Sequence, residues 1–538
     1  MRANWIKARG ATRHEHGELR RVAKREGSNP LRLAADGFKR TFLQPRHVPL
    51  GFERLTTSPS CREGFHVKQR IVPIVLAVAL FMENMDSTVI ATSLATIARD
   101  IGTSPIALKL ALTSYFVSLA IFIPISGRMA DRFGAKEVFR LAIVVFMAGS
   151  IACAFAGSLH AFVFARFLQG MGGAMMTPVG RLLLVRAVPK GDLVSAMAWF
   201  TIPALIGPLV GPPIGGAIAT YADWRWIFLI NIPIGIAGIA LSTRFLPHVE
   251  RIADITFDWT GFALSGLACA GIVFGFSVVS LPALPPVFGA IMVLVGAIFA
   301  VLYVGHARRA TRPVIDLAML GIPTLRAAVI GGAVFRIGAG AVPFLFPLML
   351  QLGFHFTPLQ SGLVSAASVG GAMGMKFLAR PILRRFGFRS TLLGAGVVGG
   401  MFTALIGVYR PEIFMPFLIV FLLAGGFFRS LFFTSINTLA FADVPKQKAS
   451  DATALLAAFQ QVAIATGVAT AGAILEAGMV MQGTEVPTLG TFTTAFLIVG
   501  GISALASAPF LLLPHEAGAE VAGHRVAAAA TERRVPAE

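Results

Sequence analysis

Cysteine is scarce in this chain, and its placement excludes two kinds of site. Only three cysteines occur in 538 residues, at Cys61, Cys153 and Cys269. They lie far apart, two of them fall inside apolar segments, and none has neighbours at the spacing of metal ligands. The sequence therefore predicts neither a disulfide framework nor a metal site.

Charged residues are also few. They make up 13% of the chain, whereas hydrophobic residues make up 56%, which is the composition of a polytopic membrane protein rather than of a soluble enzyme. The P-loop, HExxH and GxSxG motifs do not occur. The sequence therefore supports neither ATP-driven chemistry nor an enzyme, and it predicts no cofactor.

Acidic residues are outnumbered by basic ones, which gives a formal net charge of +20. About half of this excess lies in residues 1–70 and most of the rest lies in short loops, which favours a membrane surface over nucleic acid as the partner. Residues 1–70 contain no run long enough for a signal peptide, and we predict a disordered tail there and a second tail at 514–538. The first tail is either a tether to anionic lipid or a dispensable extension.

Apolar runs long enough to cross a bilayer as a helix, about 20 residues each, recur along the rest of the chain. The predicted spans are 71–91, 107–126, 138–157, 161–180, 194–219, 226–246, 259–280, 283–305, 327–351, 360–379, 391–409, 413–441, 451–475 and 490–513. We therefore predict an all-α integral membrane protein with six-helix bundles at 71–246 and 327–513 and an inserted two-helix hairpin at 259–305.

Lysine and arginine are unevenly distributed between alternate loops. If the amino terminus lies inside, the outer loops hold only Arg99, Lys109, Arg225 and Arg410, and all other loop cations lie on the inner side. Because inner loops of membrane proteins hold the excess of lysine and arginine, this pattern predicts a multi-pass protein of the cell membrane with both termini cytoplasmic.

A highly charged loop, residues 127–140, separates the second and third spans with the sequence GRMADRFGAKEVFR. Shifting the chain by 253 residues aligns 132–136 with 385–389, and each copy lies between two apolar spans. Arg384 occupies the place of Asp131 in the second copy. Duplicated halves are typical of transporters built from repeats of six helices, so the repeat predicts that architecture here.

Ionisable residues inside the predicted spans are rare. Glu83 and Asp86 share one face of the first span, and Arg166 lies at a similar depth in the fourth, so an ion pair between these spans is feasible. Two acids in a medium of low dielectric constant disfavour joint ionisation, so one of them is suited to carrying a proton. The alternative is a purely structural ion pair. The second half contains Arg336, Lys376 and Arg429.

Several stretches resemble one family. The loop pattern G-R-x-A-D-R-F-G-x-K resembles the loop between the second and third helices of the major facilitator superfamily. The pattern R-x-x-Q-G-x-G, which begins at Arg166, resembles a motif in the fourth helix of this superfamily. Residues 207–216 resemble the antiporter motif of the superfamily's exporters. Residues 86–94 and 224–235 resemble the drug:proton antiporters with 14 helices. Independently, Trp224 and Trp226 are predicted at a membrane interface.

The resemblance implies a proton-coupled antiporter that exports drugs or amphipathic small molecules by alternating access. Asp86, with Glu83, would carry the proton, with more weight on Asp86, and Arg166 would be its charge partner. The implied gating loop comprises Gly127, Arg128, Asp131, Arg132, Gly134 and Lys136, and the implied antiporter helix contains Gly207, Pro208, Gly211, Pro212, Gly215 and Gly216. Alternatives are a dedicated exporter of one metabolite, a passive facilitator and a non-transporting receptor.

The substrate cavity is predicted to contain Gln169, Arg336 and Arg429. The two arginines favour anionic or amphipathic substrates, whereas Lys376 lies near a span end and is predicted to be structural. The expected partners are a small lipophilic or amphipathic molecule, protons and the lipid bilayer. A periplasmic adaptor and the identity of the substrate stay open.

Overall fold

The computed structural model describes residues 59–188, 193–247, 257–279, 285–412, 414–445, 448–514 and 516–518, with side chains from residue 71 onward except 193–195 and 198. Of the two predicted tails, residues 1–58 and 519–538 lie outside the described residues. For residues 59–70 the prediction of a disordered tail is wrong, because the first helix begins at Pro59. Proline suits the first turn of a helix, where its missing N–H group has no partner to lose.

The described residues contain helices and no strand. The first half and the inserted hairpin consist of α1 (Pro59–Val89), α2 (Leu94–Ile101), α3 (Lys109–Phe133), α4 (Ala135–Ala154), α5 (Leu159–Ala187), α6 (Leu193–Tyr221), α7 (Trp226–Leu229), α8 (Asn231–Phe245), α9 (Trp259–Val279) and α10 (Pro286–Ala307). The second half consists of α11 (Pro323–Leu348), α12 (Pro358–Ile406), α13 (Met415–Leu439), α14 (Ala449–Gln482) and α15 (Leu489–Leu505).

Twelve stretches among the described residues are long and apolar enough to cross a membrane. One of them, α12, comprises two of the predicted spans, because the backbone at Gly387 leaves the helical conformation with φ 72° and ψ 173°. The remaining predicted span is α5, which is 29 residues long and whose hydropathy is reduced by Arg166 and Gln169. Each of the fourteen predicted spans therefore has a helix.

The predicted loop at residues 127–140 is mostly helical. Helix α3 continues through Phe133 and α4 begins at Ala135, so Gly134 alone separates them with a φ of 96°. Glycine adopts this conformation without the steric cost of a side chain. Gly387 has the same role in the second half and follows Gly134 at the 253-residue shift of the repeat, so the two halves share this turn.

The two tryptophans after α6 differ in their surroundings. Trp226 is 57% exposed, as expected for a membrane interface, but Trp224 is only 3% exposed. The Trp224 Nε1–H group donates a hydrogen bond to the carboxylate of Asp100 at 3.1 Å, and the ring packs edge-on against Phe162 and Phe228. Trp224 therefore belongs to the core, because Asp100 and the aromatic rings satisfy its polar and apolar parts inside the protein.

Apolar cores lie towards both ends of the molecule. At the end where α6 finishes, which we call the Thr220 end, one core contains Val89 and Leu94 of the first half together with Phe344 and Leu350 of the second. Towards the opposite end, which we call the Gly134 end, one core consists of first-half residues alone, and another combines Ile125 of the first half with second-half residues such as Leu392. The halves thus share a core at the Thr220 end.

Candidate proton and substrate site

Asp86 is a fully buried residue of α1 with three polar partners from other helices. The Arg166 Nη1 atom lies 2.7 Å from Asp86 Oδ2. Gln169 Nε2 and Asn231 Nδ2 both donate to Asp86 Oδ1 at 2.8 Å. Arg166 and Gln169 are one turn apart on α5, and Asn231 is the first residue of α8. The structure therefore brings together the predicted pair of Asp86 and Arg166 and adds Gln169 and Asn231 to it.

A second layer of contacts holds this group in place. Ser150 of α4 accepts hydrogen bonds from Gln169 at 2.7 Å and from Asn231 at 3.3 Å. The Arg166 guanidinium lies 4.3 Å from the ring centroid of Tyr115. Because charges removed from water need several good partners to remain ionised, this arrangement suits a fixed ion pair that links α1, α4, α5 and α8.

Sequence reasoning assigned no role to Tyr115, Ser150 or Asn231. Asn231 lies in the stretch 224–235 that carried the family resemblance, so the resemblance was the only available signal for it. Serine and tyrosine occur in apolar spans for many reasons, and only their position beside Arg166 and Gln169 distinguishes these two.

Glu83 lies one turn before Asp86 on α1 but has a different environment. It is half-buried, and the Thr177 hydroxyl donates to Glu83 Oε2 at 2.6 Å. No basic side chain of the described residues forms an ion pair with Glu83. Asp86 is therefore paired with an arginine, whereas Glu83 has a neutral hydroxyl as its partner.

Arg336 is a buried cation of the second half, with 4% exposure. Its Nη1 atom donates to the carbonyl oxygen of Gly332 at 3.2 Å, and Nη2 donates to Asn437 Oδ1 at 3.2 Å. The guanidinium lies 4.9 Å from the ring centroid of Phe433. Gln460 also donates to Asn437 Oδ1 at 3.1 Å. All of these partners are neutral.

Arg429 and Lys376 are the other two cations that the sequence places inside spans of the second half. They lie along the contact between α12 and α13. Half-buried Arg429 donates to the Ser368 hydroxyl, and exposed Lys376 donates to the Thr434 hydroxyl at 2.7 Å. Within the described part of the chain, neither these residues nor Arg336 forms an ion pair with a carboxylate. The structural role predicted for Lys376 stays a prediction.

The predicted gating loop connects the ends of several helices. Asp131 forms an ion pair with Arg186, which lies at the end of α5; Asp131 Oδ1 and Arg186 Nη2 are 2.6 Å apart. Lys136 donates to the carbonyl oxygens of Thr243 and Leu246 at 2.9 and 2.8 Å, which fastens it to the end of α8. These contacts join α3 to α5 and α4 to α8 at the Gly134 end of the first half.

The remaining residues of the predicted gating loop differ in whether they contact another element. Arg128 donates to the carbonyl oxygen of Pro313 at 2.7 Å, so it reaches the segment between the hairpin and α11. Arg132 lies over the ring of its neighbour Phe133, and a side chain added at Gly127 would meet no atom within 4 Å. Of the predicted loop residues, Arg128, Asp131 and Lys136 therefore connect separate elements.

Helix α6 presents glycines to two different neighbours. Gly207, Gly211 and Gly215 recur every four residues and lie against α1, where side chains at Gly211 and Gly215 would collide with Thr88 and Val89. A side chain at Gly216 would instead collide with the carbonyl oxygen of Pro358 at the start of α12. The helix is thus packed between its own half and the second half. Its prolines are Pro203, Pro208, Pro212 and Pro213.

Further contacts connect the halves at the Thr220 end. Gln351 donates to the carbonyl oxygen of Thr92 at 2.8 Å, and the Leu359 N–H group donates to Thr220 Oγ1 at 3.1 Å. The side chain of fully buried Lys109, at the start of α3, lies against Gly472 of α14. The Thr220 end is therefore closed by contacts between the two halves.

Comparison with known proteins identifies the family. The family model described as Major Facilitator Superfamily matches residues 76–320 and 328–534. The chain belongs to the major facilitator superfamily. Its fold accordingly has two groups of six spans with a two-helix insertion between them. As a major facilitator it is a membrane transporter, not an enzyme.

Relatives and solved structures agree with this assignment. The chain is 38% identical over 407 residues to the "Putative multidrug resistance protein MdtD" of Escherichia coli O7:K1, covering 74% of this chain and 85% of that one. A Shigella boydii protein of the same description matches at the same identity and coverage. Two solved structures of distant sequence share the fold. They are an auto inhibited POT family peptide transporter (TM-score 0.60, 14% identity, 82% of this chain and 96% of that one) and a D-xylose-proton symporter (TM-score 0.60, 15% identity, 83% and 98%).

Proposed function

We propose that this transporter exports amphipathic small molecules in exchange for protons by alternating access, with the Gly134 end in the cytoplasm. The name of the relative MdtD supports an exporter of drug-like compounds. The glycine and proline pattern of α6, which lies between the two halves, supports antiport. The excess of arginine and lysine in the loops at the Gly134 end supports the orientation.

The single observation that carries the proton coupling is the difference between Glu83 and Asp86. Asp86 has a fixed cation and two amide donors as its partners. Glu83 has the Thr177 hydroxyl and no cation among the described residues, and it is only half-buried. We therefore propose Glu83 as the group that gains and loses the proton, and Asp86 with Arg166 as the pair that fixes the surrounding helices.

This assignment reverses the order in which the two acids are ranked from the sequence. The sequence alone favours Asp86, with Glu83, as the proton carrier and Arg166 as its charge partner. The contacts favour Glu83 because proton exchange requires a group that can be neutral without leaving an arginine buried and unpaired, and neutral Asp86 would leave Arg166 in that state.

The test is transport by the full chain in proteoliposomes with an imposed pH gradient, using ethidium and dansylglycine as fluorescent substrates. We expect Glu83→Gln to abolish gradient-driven accumulation while retaining exchange of labelled for unlabelled substrate without a gradient. Glu412→Gln, at an exposed loop position, is the matched control and should behave as wild type. Undiminished accumulation by Glu83→Gln would overturn the assignment of the proton to Glu83.

A further inference from the structure

Two arginines of the second half, Arg336 and Arg429, belong to or contact one face of α13. Arg429, Phe433 and Asn437 follow one another at intervals of four residues on α13, so they share one face of that helix. The guanidinium of Arg336, from α11, lies over the Phe433 ring and donates to Asn437. Arg429 is one turn away on the same face. Arg336 therefore contacts the face of α13 that carries Arg429.

Arg336 and Arg429 differ from Arg166 in the charge of their partners. Arg166 is paired with Asp86 at 2.7 Å. Arg336 contacts a carbonyl and an amide, Arg429 contacts a hydroxyl, and neither forms an ion pair with any carboxylate that the structure describes. A cation inside a membrane protein is costly without a counter-charge, so an anion from outside the chain would stabilise this site.

The internal repeat places this site opposite the proposed proton carrier. The shift of 253 residues that aligns the two loops also aligns Glu83 with Arg336. Halves of major facilitators are related by an axis along the membrane normal, so aligned positions lie at similar depths in the two halves. The two positions carry opposite charges, which gives the halves different chemistry at the same level of the membrane.

We propose that Arg336 and Arg429 bind the anionic group of the substrate, a carboxylate or similar oxyanion, while Phe433 contacts its apolar body. The proposal rests on the export function proposed above and names the substrate class as amphipathic organic anions. Guanidinium groups bind carboxylates through two parallel hydrogen bonds. Asn437, Gln460 and the Ser368 hydroxyl supply further polar partners at this site.

The test compares two ligands that share the dansyl fluorophore and differ in charge, dansylglycine and dansyl-ethylenediamine. Binding to the full chain in phosphatidylcholine nanodiscs is measured by fluorescence titration without any gradient. We expect wild type to prefer dansylglycine, and Arg336→Gln and Arg429→Gln each to weaken its binding about tenfold or more with little effect on dansyl-ethylenediamine. Arg336→Lys should retain part of the affinity, because it keeps the charge and loses the paired hydrogen bonds.

The control is Arg410→Gln, at an exposed arginine that contacts backbone carbonyls of its own loop. It should bind both ligands as wild type does, and all variants should elute as wild type in size exclusion. Equal losses for both ligands, or a wild type that binds neither or prefers the amine, would overturn the proposal. Loss of dansylglycine binding in nanodiscs of anionic phosphatidylglycerol would assign the site to a lipid headgroup instead. Because no gradient is used, these outcomes are independent of whether transport is coupled to protons.

Discussion

At the scale of single residues, the first half contains two acids with opposite surroundings only three positions apart. Asp86 is enclosed by Arg166, Gln169 and Asn231, whereas Glu83 has one hydroxyl partner. The helix spacing alone makes the two acids equivalent, and the neighbouring helices make them different. Their roles therefore follow from tertiary contacts rather than from their position on α1.

The buried pair predicts a large and asymmetric effect on stability. Arg166→Gln leaves the Asp86 carboxylate buried without its cation, and we expect a loss of about 3–5 kcal/mol in the free energy of unfolding. The double variant Asp86→Asn with Arg166→Gln removes both charges and should lose less than Arg166→Gln alone. The measurement is SDS-induced unfolding in mixed micelles, followed by tryptophan fluorescence.

Arg410→Gln is the control for this experiment as well, and it should change the stability little because Arg410 is exposed. A double variant that loses as much as Asp86→Asn and Arg166→Gln combined, each measured alone, would show that Asp86 and Arg166 do not act as a pair.

The site was predictable from the sequence only in part. Charged residues are so rare in apolar spans that Glu83, Asp86, Arg166, Arg336 and Arg429 stand out without a structure. Which of them pair depends on helix packing, which spacing within one helix does not determine. Small polar partners such as Ser150 and Thr177 are common in membrane helices and stand out only once their contacts are known.

At the scale of elements, α6 has two glycine surfaces with separate tasks. Gly215 lies against α1 of the same half, and Gly216, the next residue, lies against the start of α12 in the other half. Under the proposed alternating access, contacts within one half persist through the motion, whereas contacts between the halves form and break. Adjacent glycines on α6 should therefore respond differently to the same substitution.

We expect Gly215→Leu to lower the yield and thermal stability of the protein, because the side chain would collide with the Val89 backbone inside one half. Gly216→Leu should retain the stability and lose most transport, because it would prevent the Thr220 end from closing. The measurements are thermal unfolding of purified protein and transport in proteoliposomes.

Gly305→Leu, at a helical position of the inserted hairpin where a side chain meets open space, controls for the added apolar volume. Equal behaviour of the two α6 variants in both assays would contradict the separation of the two surfaces.

Helix positions were predicted better than helix ends. Hydropathy locates apolar spans because the bilayer requires them, but charged final turns such as that of α3, which ends at Phe133, extend beyond the apolar run. The break between α3 and α4 depends on the conformation of Gly134, and glycines are too frequent in this chain for one of them to be singled out by hydropathy. The helical segment from Pro59 to residue 70 was missed because it is polar.

At the scale of the whole molecule, the halves meet at the Thr220 end through a shared core and through hydrogen bonds. The bonds run from Gln351 to Thr92 and from Leu359 to Thr220. In an alternating-access transporter these contacts have to open during each cycle. The structure therefore represents a state in which this end is closed.

A reversible cross-link tests that conclusion. In a background with Cys61→Ser, Cys153→Ala and Cys269→Ala, we expect Thr220→Cys with Leu359→Cys to form a disulfide on mild oxidation, because the Thr220 side chain contacts the Leu359 backbone. The cross-link should stop transport, and dithiothreitol should restore it.

Each single cysteine variant is the control and should be insensitive to oxidation. A pair that cross-links completely without any loss of transport would show that the Thr220 end does not open during the cycle.

Arg336 and Arg429, which form no ion pair with a carboxylate of the described residues, have a consequence for the energy that drives export. Under the proposed anionic substrate class, one proton entering and one monovalent anion leaving carry two charges across the membrane, whereas exchange of a proton for a monovalent cation carries none. Each charge moved through 100 mV is worth about 2.3 kcal/mol, so such a cycle gains about 4.6 kcal/mol from the membrane potential. Export would then continue in a cell that maintains its potential after the pH difference has disappeared.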